Sequence, residues 1–192
     1  VERGHVIPAF DTPWGRFAML VCEDAWHSLP GTLLALDGAT MIFVSAAAPA
    51  RGVWPREDAV PGPASVARWE RLVRDIAEEH GVFVSLTNLV ANEGGKSFPG
   101  GAVIAGPNGE IRVRGPLWKE ALVALPVDFA DLSRARAEMP LLADLETAMP
   151  HLLDTLAQIR AETPAALEFD PPPAARGNAS AVKPGKTTTR AS

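Results

Sequence analysis

One short apolar run that ends in two acids constrains the fold most. Residues Ala18–Cys22 are all apolar, and Glu23 and Asp24 follow them directly. A run of this length without alternation is typical of a strand that is covered on both faces. Ser28 is a possible N-cap of the helix that follows, and Pro30 falls in its first turn. Open α/β sheets bind ligands beyond the carboxyl ends of their strands. The chain's one thiol, Cys22, therefore lies at the edge where such folds form their binding sites.

Two further apolar runs, each preceded by a helical pattern, predict parallel β-α-β units. Met41–Ser45 follows a predicted helix over 30–36, and Val82–Leu86 follows a longer one over Ser65–His80. Trp69 falls on the apolar face of the longer helix, so we expect it in the core. A strand, a helix and a strand within about thirty residues form a parallel unit, so the fold class is α/β.

Antiparallel elements and loops are predicted around these units. A turn over Asp11–Arg16 predicts a hairpin, and Asn108-Gly109 predicts a second one because this pair suits the positive φ angles of a hairpin turn. Gly81 is placed to end the long helix in a left-handed conformation. The other predicted segments are a long loop over 46–63, a polar loop over Ala91–Gly101, strands over 102–105 and 111–114, and a strand over Ala121–Val127.

The carboxyl-terminal third carries a different pattern. Leucine, methionine and isoleucine recur at helical spacing between Leu141 and Ile159, and Pro150 interrupts them, so we expect a kinked helix or two helices. This stripe is suited to packing against the domain or against a second subunit. From Thr163 the composition turns to proline, glycine, lysine, threonine and serine, which predicts a disordered tail.

Composition excludes several classes of protein. The net charge is -5 and the basic residues are scattered, whereas a nucleic-acid surface needs clustered cations. A single cysteine excludes a disulfide within the chain and fits a reducing, cytoplasmic compartment. The polar start at Val1–His5 has no signal-peptide pattern, and no apolar run is long enough to span a bilayer. The scattered histidines give no metal-ligand spacing, so we expect no metal and no cofactor.

The residues alone leave two roles open for Cys22. Free cysteine is often buried as a small hydrophobic residue, so a structural role is possible. The acids that follow it would raise a thiol pKa, and a reactive thiolate needs a cation, a base or a helix N-terminus nearby. His27 suggests a cysteine–histidine dyad, but dyad histidines are usually distant in sequence, so we do not favour this pairing. Of Glu23 and Asp24, we expect one to orient the loop through hydrogen bonds to backbone N–H groups rather than to act as an acid–base pair.

Several blocks between Gly4 and Leu132 resemble, in their order and spacing, the carbon–nitrogen hydrolase (nitrilase) superfamily. The blocks are Phe10–Arg16, Val21–Asp24, Leu34–Ala39, Glu78–Val84 with Asn88, Phe98–Ala102 and Gly106–Glu110. The resemblance implies an αββα sandwich, usually dimerised through its helices. It also implies hydrolysis of non-peptide C–N bonds in small amides, nitriles or carbamoyl compounds.

The same resemblance assigns roles to particular residues. It implies that Cys22 is the nucleophile and that the backbone N–H of Glu23 is one oxyanion donor. It makes His27, at the pocket mouth, and Asn88 candidates for the substrate pocket. Trp26 and Trp54 are further candidates, although tryptophans in apolar chains more often pack in the core.

The chain also departs from the family pattern. The family's glutamate base and lysine lie upstream of the nucleophile, whereas here only residues 1–21 precede Cys22 and every lysine lies downstream. We therefore expect a carboxyl-terminal half of the family domain over 1–132, a helical extension over 133–162 and a disordered tail over 163–192. This chain alone should have little activity, and a longer dimeric parent would be the active form. The alternative is a non-catalytic half-domain that acts as an interaction or structural chain.

Overall fold

The computed structural model describes residues 6–52 and 60–162, and the expectations for Trp54 and for the tail over 163–192 lie outside these residues. The chain divides into two compact units, Val1–His151 and Leu152–Ser192. The strands are β1 (Phe10–Thr12), β2 (Gly15–Val21), β3 (Met41–Ala46), β4 (Phe83–Asn88), β5 (Val90–Glu93), β6 (Lys96–Pro99), β7 (Val103–Ala105) and β8 (Ile111–Arg114). The helices are α1 (Ser28–Leu36), α2 (Ala64–His80), α3 (Ala130–Glu138) and α4 (Leu141–Glu162), and a short 3₁₀ helix covers Cys22–Trp26.

Six strands form one mixed sheet in the order β1-β2-β3-β4-β7-β8. The three central strands β2, β3 and β4 run parallel, with Val21 beside Ser45 and Ser45 beside Thr87. The outer strands β1, β7 and β8 are antiparallel to their neighbours. The predicted α/β class and both parallel units are therefore confirmed, as are the two hairpins around Asp11–Arg16 and Asn108-Gly109.

The main core lies between one face of this sheet and the helices α1 and α2. Alternate strand residues point into it, because successive side chains of a strand lie on opposite faces. The core residues from the strands and helices include Ala18, Leu20, Ile42, Val44, Val84, Leu86, Leu34, Trp69, Val73 and Ile76. Gly81 ends α2 with a φ of 57°, as its position predicts.

The opposite face of the sheet is covered only in part. At the amino-terminal ends of the parallel strands, Met41 and Phe83 are buried against Leu132 of α3 and Phe129. Further along β2, Met19 is 55% exposed and Val21 is 62% exposed. The expectation that this strand is covered on both faces is wrong, because the chain packs no complete layer on this side within the described residues.

Three local predictions differ from the structure. Ala91–Gly101 is mainly the hairpin β5–β6 and not a loop. Ala121–Val127 is not a strand, because Pro126 cannot donate a ladder hydrogen bond and no strand among the described residues pairs with the segment. Ser28 is the first residue of α1, whose N-cap is His27, and no side chain caps that end.

The carboxyl-terminal region is helical, as its spacing predicts. Pro150 lies inside the single helix α4, and α3 precedes the Leu141–Ile159 stripe. None of the residues of α4 is buried. Within the described residues, no helix combines the length and the apolarity that a membrane span needs.

Candidate active site

Cys22 stands immediately after β2 and begins the 3₁₀ helix, half-buried at the edge of the main core. Its φ is 50°, in the left-handed region that a residue with a β-carbon adopts at an energetic cost. The carboxylate of Asp24 holds the turn, because its Oδ2 accepts a hydrogen bond from the Val21 N–H at 3.0 Å. The expectation that one of the two acids orients this loop is confirmed for Asp24.

A cavity of about 200 Å³ opens beside Cys22. It forms where three carboxyl-edge features meet, namely the 3₁₀ helix after β2, the segment after β3, and the first turns of α2. The parallel pairing of β2 with β3 brings the first two together. The lining residues are Cys22, Trp26, Ala47, Ala48, Pro49, Arg51, Ser65, Arg68 and Trp69.

Two tryptophans and an arginine form one wall of this cavity. Trp69 is buried in the core, which confirms its predicted place, and it also reaches the cavity. The ring of Trp26 packs edge-on against Trp69, with 5.4 Å between the ring centres. The guanidinium carbon of Arg68 lies 5.9 Å from the ring centre of Trp26, within range of a cation–π contact.

Another part of the wall is tied to the start of α2. The Arg51 N–H donates to Ser65 Oγ at 3.1 Å, and the Ser65 N–H donates to the Arg51 carbonyl oxygen at 3.0 Å. These reciprocal bonds fix the chain after β3 against the first turn of the helix. Of the lining side chains in the described part of the molecule, two are arginines and none is a glutamate, aspartate or lysine.

The remaining candidate residues lie elsewhere. The side chain of Glu23 is 88% exposed, and that of His27 is 66% exposed, with 3.9 Å between Glu23 Oε1 and His27 Nε2. Neither side chain lines the cavity. Asn88 is buried at the end of β4, and it holds the cavity wall from behind instead of lining it: its Oδ1 accepts from the Ala48 N–H at 2.9 Å and its Nδ2 donates to the Gly100 carbonyl oxygen at 2.8 Å.

Sequence reasoning missed Arg51, Ser65 and Arg68 as lining residues. The helical pattern places Arg68 on the polar face of α2, which describes its exposure but not its neighbours. One signal could have found it. A helix that follows a parallel strand begins at the carboxyl edge of the sheet, so side chains of its first turns lie near the chemistry of that edge.

The fold and the site together define a class of α/β proteins. In this class a thiol lies just beyond the end of a central parallel strand, and a pocket opens at the same edge of the sheet. The chain belongs to the carbon–nitrogen hydrolase family, whose model matches residues 1–137. No curated protein matches the chain.

Solved structures of this family have the same fold. A carbon–nitrogen hydrolase from Helicobacter pylori G27 is 22% identical with a TM-score of 0.64, over 79% of this chain and 54% of that one. Nit3 from Saccharomyces cerevisiae, a member of branch 10 of the nitrilase superfamily, is 20% identical with a TM-score of 0.62, over 73% and 48%.

An amidase mutant from Nesterenkonia sp. AN1, solved after Michael addition of acrylamide at its active site cysteine, is 28% identical with a TM-score of 0.50, over 72% and 49%. The chain thus spans about half the length of these solved structures.

Proposed function

We propose that Cys22 is the nucleophile in the hydrolysis of a non-peptide C–N bond of an amide, nitrile or carbamoyl compound. The observation that carries this proposal is the place of Cys22, at a φ of 50° between the end of β2 and the cavity. Strained backbone of this kind persists where the surrounding structure imposes it, and it is concentrated at active sites. Membership of the carbon–nitrogen hydrolase family supports the reaction type.

For an amide, the chemistry has two steps. The thiolate sulfur attacks the carbonyl carbon, and the C–N bond breaks as the nitrogen takes a proton and leaves as ammonia or an amine. Water then attacks the thioester carbon, which releases the carboxylic acid and restores the thiol. A nitrile would form a thioimidate at the first step.

The backbone N–H of Glu23 is the oxyanion donor in this proposal. Its side chain is 88% exposed, so its contribution comes from the main chain and not from the carboxylate. Trp26 forms the wall next to the nucleophile. We assign His27 to the rim and Asn88 to the positioning of the wall, on the basis of their contacts.

The general base and the second oxyanion donor must come from outside the lining described above. We propose that this chain is the second half of the domain and that a preceding segment supplies a glutamate and a lysine. The exposed Met19 and Val21 support this, because a second sheet packed on that face would complete an αββα sandwich. The half-length coverage of the relatives agrees with it.

The test compares this chain with a polypeptide extended upstream in its reading frame. Ammonia release is measured on a panel of small aliphatic amides, and acrylamide adducts are mapped by mass spectrometry. We expect hydrolysis by the extended form, its loss in Cys22→Ala and Cys22→Ser, and a rate for the short chain lower by about 10²-fold or more, since one oxyanion donor alone contributes that much.

Two results would overturn the proposal. Hydrolysis that survives Cys22→Ala would exclude the cysteine as nucleophile. A folded extended polypeptide that neither releases ammonia nor forms an adduct at Cys22 would support the alternative, a non-catalytic half-domain whose exposed sheet face binds a partner.

A further inference from the structure

We infer that the cavity beside Cys22 takes substrates that carry a carboxylate, and that Arg68, assisted by Arg51, binds it. The inference rests on the proposed function of Cys22 and specifies its substrate class. Both arginines line the cavity, and the described lining contains no acid to neutralise them. Within residues 6–52 and 60–162 the lining thus carries two positive charges and no negative one, which favours an anionic ligand.

Arg68 is placed at the cavity wall by aromatic packing. Trp69 is anchored in the core, Trp26 packs on it, and the guanidinium lies 5.9 Å from the Trp26 ring centre. A cation–π contact leaves the N–H donors of a guanidinium available, and these donors match the two oxygens of a carboxylate.

Neither cavity arginine is committed to a carboxylate within residues 6–52 and 60–162, where Arg16 and Arg114, by contrast, are paired with acids. The backbone of Arg51 is held by its two hydrogen bonds with Ser65, so its side chain starts from a fixed point at the rim.

The rest of the wall limits the shape of the substrate. Ala47, Ala48 and Pro49 offer short apolar contacts, and the two tryptophans offer ring surface. A volume of about 200 Å³ suits a small molecule. We therefore infer a short-chain acid in which a few carbons separate the carboxylate from the C–N bond under attack.

Two alkylating reagents of nearly equal size test this on the chain as it exists. Iodoacetate carries a carboxylate and iodoacetamide does not, and Cys22 is the one cysteine they can modify. The ratio of the two rates at Cys22 is compared with the ratio of the same two rates for a reference thiol, 2-mercaptoethanol. Both reagents meet the same thiolate, so the ratio reports recognition of charge and not the thiol pKa.

We expect the iodoacetate-to-iodoacetamide ratio at Cys22 to exceed that of the reference thiol by about three- to tenfold at low salt and to fall as salt is added. Arg68→Gln should lower the ratio by about threefold or more, and Arg51→Gln should lower it less. Arg71→Gln is the matched control, because it removes the same charge from the exposed surface of α2 outside the cavity lining.

The outcomes separate the two proposals. A Cys22 that iodoacetate fails to alkylate, although it alkylates 2-mercaptoethanol, would overturn the carboxylate site, because the reagent is then not held beside the thiol. The nucleophile itself is tested separately by the extended polypeptide, in which the proposed base is present. A Cys22 that reacts with both reagents at the reference ratio would leave the nucleophile standing and overturn the carboxylate site. A raised ratio that Arg68→Gln and Arg51→Gln leave unchanged would also overturn the carboxylate site. Circular dichroism of each variant checks that it is folded.

Discussion

The side-chain oxygen of Asn88 accepts a hydrogen bond from the Ala48 N–H at 2.9 Å, so the end of β4 fixes the chain that leaves β3. The amide nitrogen of the same side chain donates to the Gly100 carbonyl oxygen at 2.8 Å. Both bonds are buried, and Ala48 lines the cavity beside Cys22. One side chain thereby connects three segments at the carboxyl edge of the sheet.

Replacing Asn88 should destabilise the protein. Asn88→Ala leaves a buried N–H and a buried carbonyl without partners, which costs about 1–3 kcal/mol of unfolding free energy. Urea unfolding measures this loss. Asn92→Ala, at an exposed position of β5, is the control and should change stability by less than about 0.5 kcal/mol. Equal effects of the two variants would contradict the assigned role.

Arg114 should be needed for stability, because its ion-pair partner, the carboxylate of Glu70, is buried. Its Nε and Nη2 donate to the two carboxylate oxygens of Glu70 at 2.8 Å and 2.6 Å. Arg114→Met would leave that carboxylate unpaired, at a cost of about 1–3 kcal/mol in urea unfolding. The double variant Glu70→Leu/Arg114→Met should recover much of the loss, because no charge then remains buried.

Arg112→Met on the same strand is a control for the Arg114 variant. Its ion pairs with Glu110 at 3.7 Å and with Asp131 at 3.5 Å are longer and partly exposed, so each contributes about 0–1 kcal/mol. A double variant less stable than Arg114→Met alone would show that the buried charge is not the cause of the loss.

Asp37 should make stability depend on pH in the acid range. The Ala9 N–H at 2.8 Å, and then the Arg16 guanidinium at 2.9 Å, lower the pKa of the Asp37 carboxyl. Because the folded pKa lies below the unfolded value of about 3.9, the contribution of Asp37 is fully present above the unfolded pKa. It is lost as the pH falls through the folded pKa.

Asp37→Asn checks this by urea unfolding between pH 7 and pH 3. The stability difference between the original chain and the variant should be constant down to about pH 5 and then shrink. A difference that is the same at both ends of the range would exclude the carboxylate as its source.

The left-handed backbone of Cys22 predicts an unusual order of stability between two variants. Glycine adopts a φ of 50° without the clash of a β-carbon, so Cys22→Gly should be more stable than Cys22→Ala by about 1 kcal/mol. Ser45, in extended β3, should show the opposite order, because glycine weakens a strand. Cys22→Ala proving as stable as Cys22→Gly would contradict the backbone conformation described here.

Prediction from sequence succeeded where short-range pattern and packing agree. The apolar runs of β2, β3 and β4 and the one-sided pattern of α2 identify the parallel units, because burial dictates both the residue types and their period. The hairpin β5–β6 was missed because most of its residues are exposed and its few apolar residues give no clear alternation. Ala121–Val127 has the composition of a strand but no partner in the described part of the chain, and a strand exists only when another backbone pairs with it.

The sequence by itself determined the α/β class, the place of Cys22 at the carboxyl edge and the resemblance to the carbon–nitrogen hydrolases. These depend on the order and spacing of residues along the chain, from which local packing rules predict strands, helices and their connections. Only the tertiary structure decided that Arg51 and Arg68 meet Cys22 in one cavity and that the second sheet face is covered only in part. Such relations join residues far apart in sequence. They depend on how whole strands pair and whole helices pack, which local patterns in the sequence do not specify.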